Sequence, residues 1–136
     1  MRLILCVLAL SFIAGCATTP IPAELAEPAG KNRLLAFQQP PNQPNGIIMV
    51  TRDTGIAGSA CQVFIYIDGL HTASVWSGET AKFYVPVGEH VIGVNTSWYC
   101  GGGLKEHQHL IEANKAHRFR ISADSNFSMQ IAPTAF

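Results

Sequence analysis

The sequence predicts an all-β fold, a small antiparallel β-sandwich or barrel of about seven or eight short strands occupying residues 47–136. Three observations carry this. Apolar and polar residues alternate at period two through the segments that follow Gly46. The turn-forming pairs Asp68-Gly69, Ser77-Gly78 and Gly88-Glu89 punctuate those segments at short intervals. No stretch after residue 46 has the 3.6-residue apolar period of an amphipathic helix.

Taken in order, the chain opens on an export signal. Arg2 supplies a positive start, and Leu3 to Ala14 form an apolar run broken only by Ser11. About a dozen apolar residues are too few to span a ~30 Å hydrocarbon layer, which needs about 20 in a helix. The run instead has the length of a signal-peptide core and ends in small residues. Its last four residues, Ile13-Ala14-Gly15-Cys16, resemble the lipobox of bacterial lipoproteins. That resemblance implies that residues 1–15 are removed and that Cys16 becomes the acylated N-terminus, palmitate included. Ala17, where an Asp would retain the protein in the inner membrane, implies an outer-membrane location with the domain facing the periplasm. Several acyl chains at ~0.8 kcal/mol per buried methylene make a stable anchor.

Residues 16–46 read as a lipidated N-terminus and tether. Pro20, Pro22, Pro28, Pro40, Pro41 and Pro44 fall here among few large apolar groups. Lys31 to Gln38 is the exception, a short helical turn or strand able to dock on the domain. Fully extended, such a tether reaches on the order of 100 Å and would hold the domain well off its membrane.

The domain begins with the strand "IIMVTR", closed by Asp53-Thr54-Gly55. In "QVFIYIDG", Val63, Ile65 and Ile67 take one face, Phe64 and Tyr66 the other, and Asp68-Gly69 is a hairpin turn. "HTASVW" returns, and "TAKFYVPV" puts Ala81, Phe83, Val85 and Val87 on one side. Gly88-Glu89 leads into "HVIGVNTSWYC". After Gly101-Gly102-Gly103, expected as a mobile loop, "EHQHLIEA" and "AHRFRIS" flank a turn at Asn114. A last strand, "FSMQI", sets Phe127, Met129 and Ile131 on one face.

Composition narrows the function. Removing residues 1–15 from the 136 leaves 121, one small domain, with eight Lys and Arg against nine Asp and Glu. No basic patch or charge run exists, so no nucleic-acid partner is expected. Cys6 leaves with the signal and Cys16 is the lipid site, so Cys61 and Cys100 remain as an even pair in an exported chain, the condition for a disulfide.

Residues 65–94, "IYIDGLHTASVWSGETAKFYVPVGEHVIGV", are similar to PEGA-like domains and to small bacterial lipoproteins of unknown function. Ile67-Asp68-Gly69 matches the family's strand-end turn. Pro86-Val87-Gly88-Glu89-His90 matches its second turn, with one residue between Pro and Gly. The resemblance implies a non-catalytic envelope module in which Asp68, Gly69 and Gly88 serve turns.

Catalytic chemistry finds little purchase. Ser59, Ser74 and Ser77 have no nucleophile-elbow motif around them. Asp53, Asp68 and Glu89 lie at turns, where carboxylates act as local hydrogen-bond acceptors. The one constellation is histidine. His107 and His109 share a strand face, and a hairpin at 113–115 brings His117 to it, with His71 or His90 able to approach. Three imidazoles on one face could hold a metal, although Ile111, Phe119 and Ile121 make that same face the core side. Trp76, Trp98 and Tyr99 fall near strand ends and offer a binding surface, or else close the core beside the disulfide. The expectation is a lipid-anchored, disulfide-tied envelope module with no enzymatic activity and no cofactor, its partner an envelope protein or the cell wall. The alternatives are a periplasmic inhibitor or phage-exclusion factor acting on a protein, and a metal-binding lipoprotein using His107, His109 and His117.

Overall fold

Where apolar residues recur at period two, the chain pairs into strands with one buried face. The computed structural model describes residues 18–124 and 126–135, and the signal segment and Cys16 lie outside them. In chain order the strands are β1 (Glu27–Pro28), β2 (Asn45–Arg52), β3 (Val63–Ile67), β4 (Leu70–Val75), β5 (Glu79–Pro86), β6 (Gly88–Thr96), β7 (Lys105–Ile111), β8 (Ala116–Ala123) and β9 (Met129–Pro133). They form two sheets, β1-β5-β2-β8-β9 and β4-β3-β6-β7. Between the sheets, Ile48, Val50, Phe83, Val85, Phe119 and Ile121 meet Val63, Ile65, Ile67, Ile92, Val94 and Ile111 in one buried core. The predicted all-β sandwich is therefore the observed architecture.

Pairing is antiparallel except at β1–β5 and β2–β8, which run parallel. The second arises because β7 and β8 do not pair as a hairpin. β7 belongs to the four-stranded sheet, and residues 112–115 cross to the other sheet, where β8 lies along β2. The chain also crosses between sheets at 76–78 and at Val87, in place of the turns expected at Ser77-Gly78 and Gly88-Glu89. That places Val87 at a corner, exposed, where alternation had put it on the inner face. The hairpin at Asp68-Gly69 has the expected form, with both residues at positive φ (50° and 77°), as a two-residue turn between twisted strands requires.

Residues 18–44 correct the expected tether. They lie on the domain. Glu27 and Ala29 donate backbone hydrogen bonds to Gly78 and Thr80, Leu35 donates to Thr72, and Tyr84 donates to the Phe37 carbonyl. Arg33 forms a two-pronged pair with Glu79 at 2.5 and 2.6 Å and also donates to the Ser74 carbonyl. The segment makes a turn in which Leu25 and Ala26 donate to the Pro22 carbonyl, and small side chains at Ala23, Ala26 and Ala29 let it approach closely enough to be buried. It thereby covers the β5 edge of one sheet and touches the β4 edge of the other, edges that exposed would invite pairing with other chains. The three-residue turn Lys31–Arg33 is the docking element expected within Lys31–Gln38.

Phe127 also departs from expectation. It sits half-exposed at φ 61°, before β9, in a loop closed by Asp124, whose Oδ1 accepts the amides of Asn126 and Ser128. That turn interrupts the alternation, and only Met129 and Ile131 pack on the core.

Candidate functional site

All strands begin or end at two poles, and the candidate binding residues collect at one of them. Register places Val75, Val63 and Thr96 in a row across β4, β3 and β6. The segments just beyond, Trp76–Gly78, 53–62 and 97–104, therefore form a single end of the sandwich. The Cys61–Cys100 disulfide joins two of them, with Cα atoms 5.9 Å apart. Next to the bridge a short 3-10 turn, Trp98–Cys100, presents Trp98 at 92% exposure and Tyr99 at 61%. The two rings meet edge to face at 5.9 Å between centroids, a favourable geometry for aromatic pairs. Trp76 is more than one-third exposed at the same end, and Ile56 is 93% exposed. The three sequence-selected aromatics thus share one end, displayed to solvent, and do not close the core.

Arg52 organises this end, and the sequence reading gave it no role. It lies on the inner face of β2 at 3% exposure. Its guanidinium donates to the carbonyls of Cys61, Gly58 and Val75. Burial pushes its pKa down to about 10, an effect Glu79 partly opposes. Three carbonyls on one planar fork fix the 58–61 loop, and so the disulfide, against the end of β4. The signal was present in the parity of β2, because Ile48, Val50 and Arg52 alternate onto the same buried face.

Asp53, next in sequence, is equally structural. Its carboxylate receives two hydrogen bonds from Arg120 at 2.7 and 2.6 Å and one from the Thr18 hydroxyl at 2.7 Å. Glu79 accepts Arg33 and the Trp76 amide. Burial alone would raise the Glu79 carboxyl, but Arg33, the Trp76 amide and Arg52 together hold it below the usual carboxylate value. Ser77 donates to the Asp53 carbonyl, and Ser74 lies 3.0 Å from His71 Nε2. At the opposite pole Asp68 Oδ1 accepts the Val91 amide, and Oδ2 lies 2.6 Å from His90 Nδ1, tying two turns together.

The histidines do converge, but around Phe119 and each other. His107 and His109 stand edge-on to the Phe119 ring at 5.8 and 5.0 Å. The Glu112 amide donates to His117 Nε2 at 3.1 Å, so a neutral His117 carries its proton on Nδ1 and donates it to His109 Nε2 at 3.0 Å. The ring lone pairs of His109 and His117 are then both engaged. Among the described residues no three His, Cys, Asp or Glu side chains are grouped to hold an ion. Burial, with His117 and His107 nearby, holds the His109 pKa below its ordinary value. The arrangement is a polar rim on the core. His71 and His90 lie elsewhere, His71 against Phe64 and Tyr66.

A shallow cleft of about 370 Å³ runs between the N-terminal segment and β5, lined by Pro28, Ala29, Leu34, Gln38, Lys82 and Tyr84. It pairs no acid with a base. No protein-family model and no curated protein matches the chain.

Proposed function

We propose that this chain is a lipid-anchored module of the bacterial cell envelope, attached through Cys16, that works by binding and carries out no reaction. The observation that carries the reading is the aromatic end of the sandwich. Trp98 stands almost fully in water on a turn held by a disulfide, beside Tyr99, and Ile56 is exposed at the same end. Large apolar side chains gathered in water on a rigid frame mark contact surfaces. Rigid aromatics also lose little conformational freedom when covered. The export signal ending in Ile13-Ala14-Gly15-Cys16 and the PEGA-like pattern of residues 65–94 supply the envelope context.

Complementation of a deletion strain tests the reading. A chain carrying Trp98→Ser and Tyr99→Ser should fail to restore the phenotype while folding normally, because both side chains are exposed. A chain with His107, His109 and His117 replaced by Asn and Gln should restore it. Loss of function in the histidine variant with its fold intact, together with stoichiometric zinc in the wild type, overturns the reading in favour of a metal site.

A further inference from the structure

We propose that the aromatic end rests on the same membrane that holds the acyl chains, so that the domain lies against the bilayer instead of standing off it. This rests on lipid attachment at Cys16. Thr18 and Thr19 are fastened to the end of the sandwich that carries the disulfide. Thr18 Oγ1 donates to Asp53 Oδ2 at 2.7 Å and accepts the Ala123 amide at 3.2 Å. Thr19 and Thr54 exchange backbone hydrogen bonds at 2.8 and 3.0 Å. At ~3.8 Å per residue, the Cα of Cys16 lies within about 8 Å of that of Thr18. Asp53 and Thr54 directly follow β2, at the end that carries the disulfide. The acylated residue therefore leaves the domain at the aromatic end, and no tether separates them.

The chemistry of that end points the same way. Residues 54–62, 76–78, 97–104 and 126–128 contain no Asp, Glu, Lys or Arg. Of the exposed large apolar residues, Ile56, Trp76, Trp98, Tyr99, Leu104 and Phe127 all lie in these loops. Of the charged residues beside these loops, Asp53 is engaged by Arg120, Glu79 by Arg33 and Asp124 by its own loop amides, and Lys105 and Glu106 open β7 just past Leu104. Pressing this end into a lipid interface thus strips water from no unpaired charge in the loops. The opposite pole is different, with Asp68, Glu89, Glu112 and Lys115 in or beside its turns. Trp and Tyr, with an apolar body and a polar tip, favour the headgroup level of a bilayer. Apolar side chains buried at the acyl boundary add contact area to the anchoring that acyl chains supply. A protein or glycan partner would need to reach this end past the membrane to which Cys16 holds it.

The test uses the full acylated chain carrying Trp76→Phe, which leaves Trp98 as its one tryptophan. The protein is reconstituted into vesicles of phosphatidylethanolamine and phosphatidylglycerol, with and without bromine on the upper acyl carbons. Bromolipid should quench Trp98, and aqueous iodide should quench it several-fold less than it quenches N-acetyltryptophanamide. If the chain floats with the vesicles while Trp98 is as open to iodide as the free amide and untouched by bromolipid, docking is overturned and anchoring stands. If the mature chain carries no acyl groups and does not float, anchoring falls and docking with it. A second measurement does not depend on the Trp76 substitution. With Ile56→benzoylphenylalanine in growing cells, light should attach phospholipid. Attachment to a protein or glycan in its place overturns the inference.

Discussion

Replacing Arg52 with Met keeps a long, unbranched side chain in the core and removes every donor. The carbonyls of Cys61, Gly58 and Val75 then lose a donor, and Gly58 keeps the Cys61 amide. A buried acceptor left unmade costs about 1–3 kcal/mol. The Val75 contact, at 3.3 Å, is long and counts for little. The Cys61 carbonyl carries that cost of an unmade bond and Gly58 loses one of two bonds at about 0.5–1.5 kcal/mol, offset in part because a guanidinium whose pKa is pushed down to about 10 no longer has to stay buried. The net expectation is a loss of about 2 kcal/mol, a sizeable share of the ~5–15 kcal/mol that holds such a domain. At about 4 °C per kcal/mol for a domain of this size, the Tm falls by roughly 8 °C. Urea unfolding followed by near-UV circular dichroism, with the disulfide verified by mass, measures it. Arg52→Lys should lose less, because one ammonium still reaches one or two of the carbonyls. A loss for Arg52→Met below about 0.5 kcal/mol refutes the claim that these carbonyls depend on the guanidinium.

Replacing Cys61 and Cys100 together by Ser should lower stability by roughly 4 kcal/mol on the chain-entropy account, read from urea midpoints, since the bridge spans a sequence separation of 39. Gly46→Ala should cost about 1–3 kcal/mol in thermal unfolding, because a Cβ there meets the Glu112 carbonyl at 2.6 Å and Ile111 Cγ2 at 2.8 Å, and the crossing loop must shift. Stability should also fall on acidification below pH 6.5, the ordinary His value, because His109 titrates lower in the folded chain than in the unfolded one. The unfolded state then binds more protons over that window, so the His109 contribution is present above pH 6.5 and lost below it. His109→Asn should flatten that slope in urea midpoints taken across the range.

Much of the fold was legible because local geometry decided it. Asp68-Gly69 fixes a two-residue hairpin by its own backbone, and the parity of Val63, Ile65 and Ile67 marks the core face whatever the rest of the chain does. The route between sheets was not legible. Residues 112–115 serve equally well as a hairpin loop or as a crossing, and His107, His109 and Phe119 face inward in either case. The packing of residues 18–44 was hidden behind prolines that usually mark linkers. The available clue was the recurrence of Ala23, Ala26 and Ala29, small enough to be buried where the segment meets the sheet. The aromatics were found but not their setting, because sequence separates Trp76 from Trp98 by two strands, and only the pairing of β4, β3 and β6 puts them at one end. Arg52 was passed over because an arginine closing a strand usually reaches solvent, whereas this one turns inward to three carbonyls.

The central claim is that Cys16 anchors the chain in a membrane, and the mass of the mature N-terminal peptide tests it most directly. Protein isolated from its native envelope, digested and extracted into organic solvent, should yield a peptide beginning at Cys16 and heavier than its sequence by the mass of its acyl groups. A peptide beginning at Met1, or one containing Cys16 as an unmodified thiol, contradicts the account.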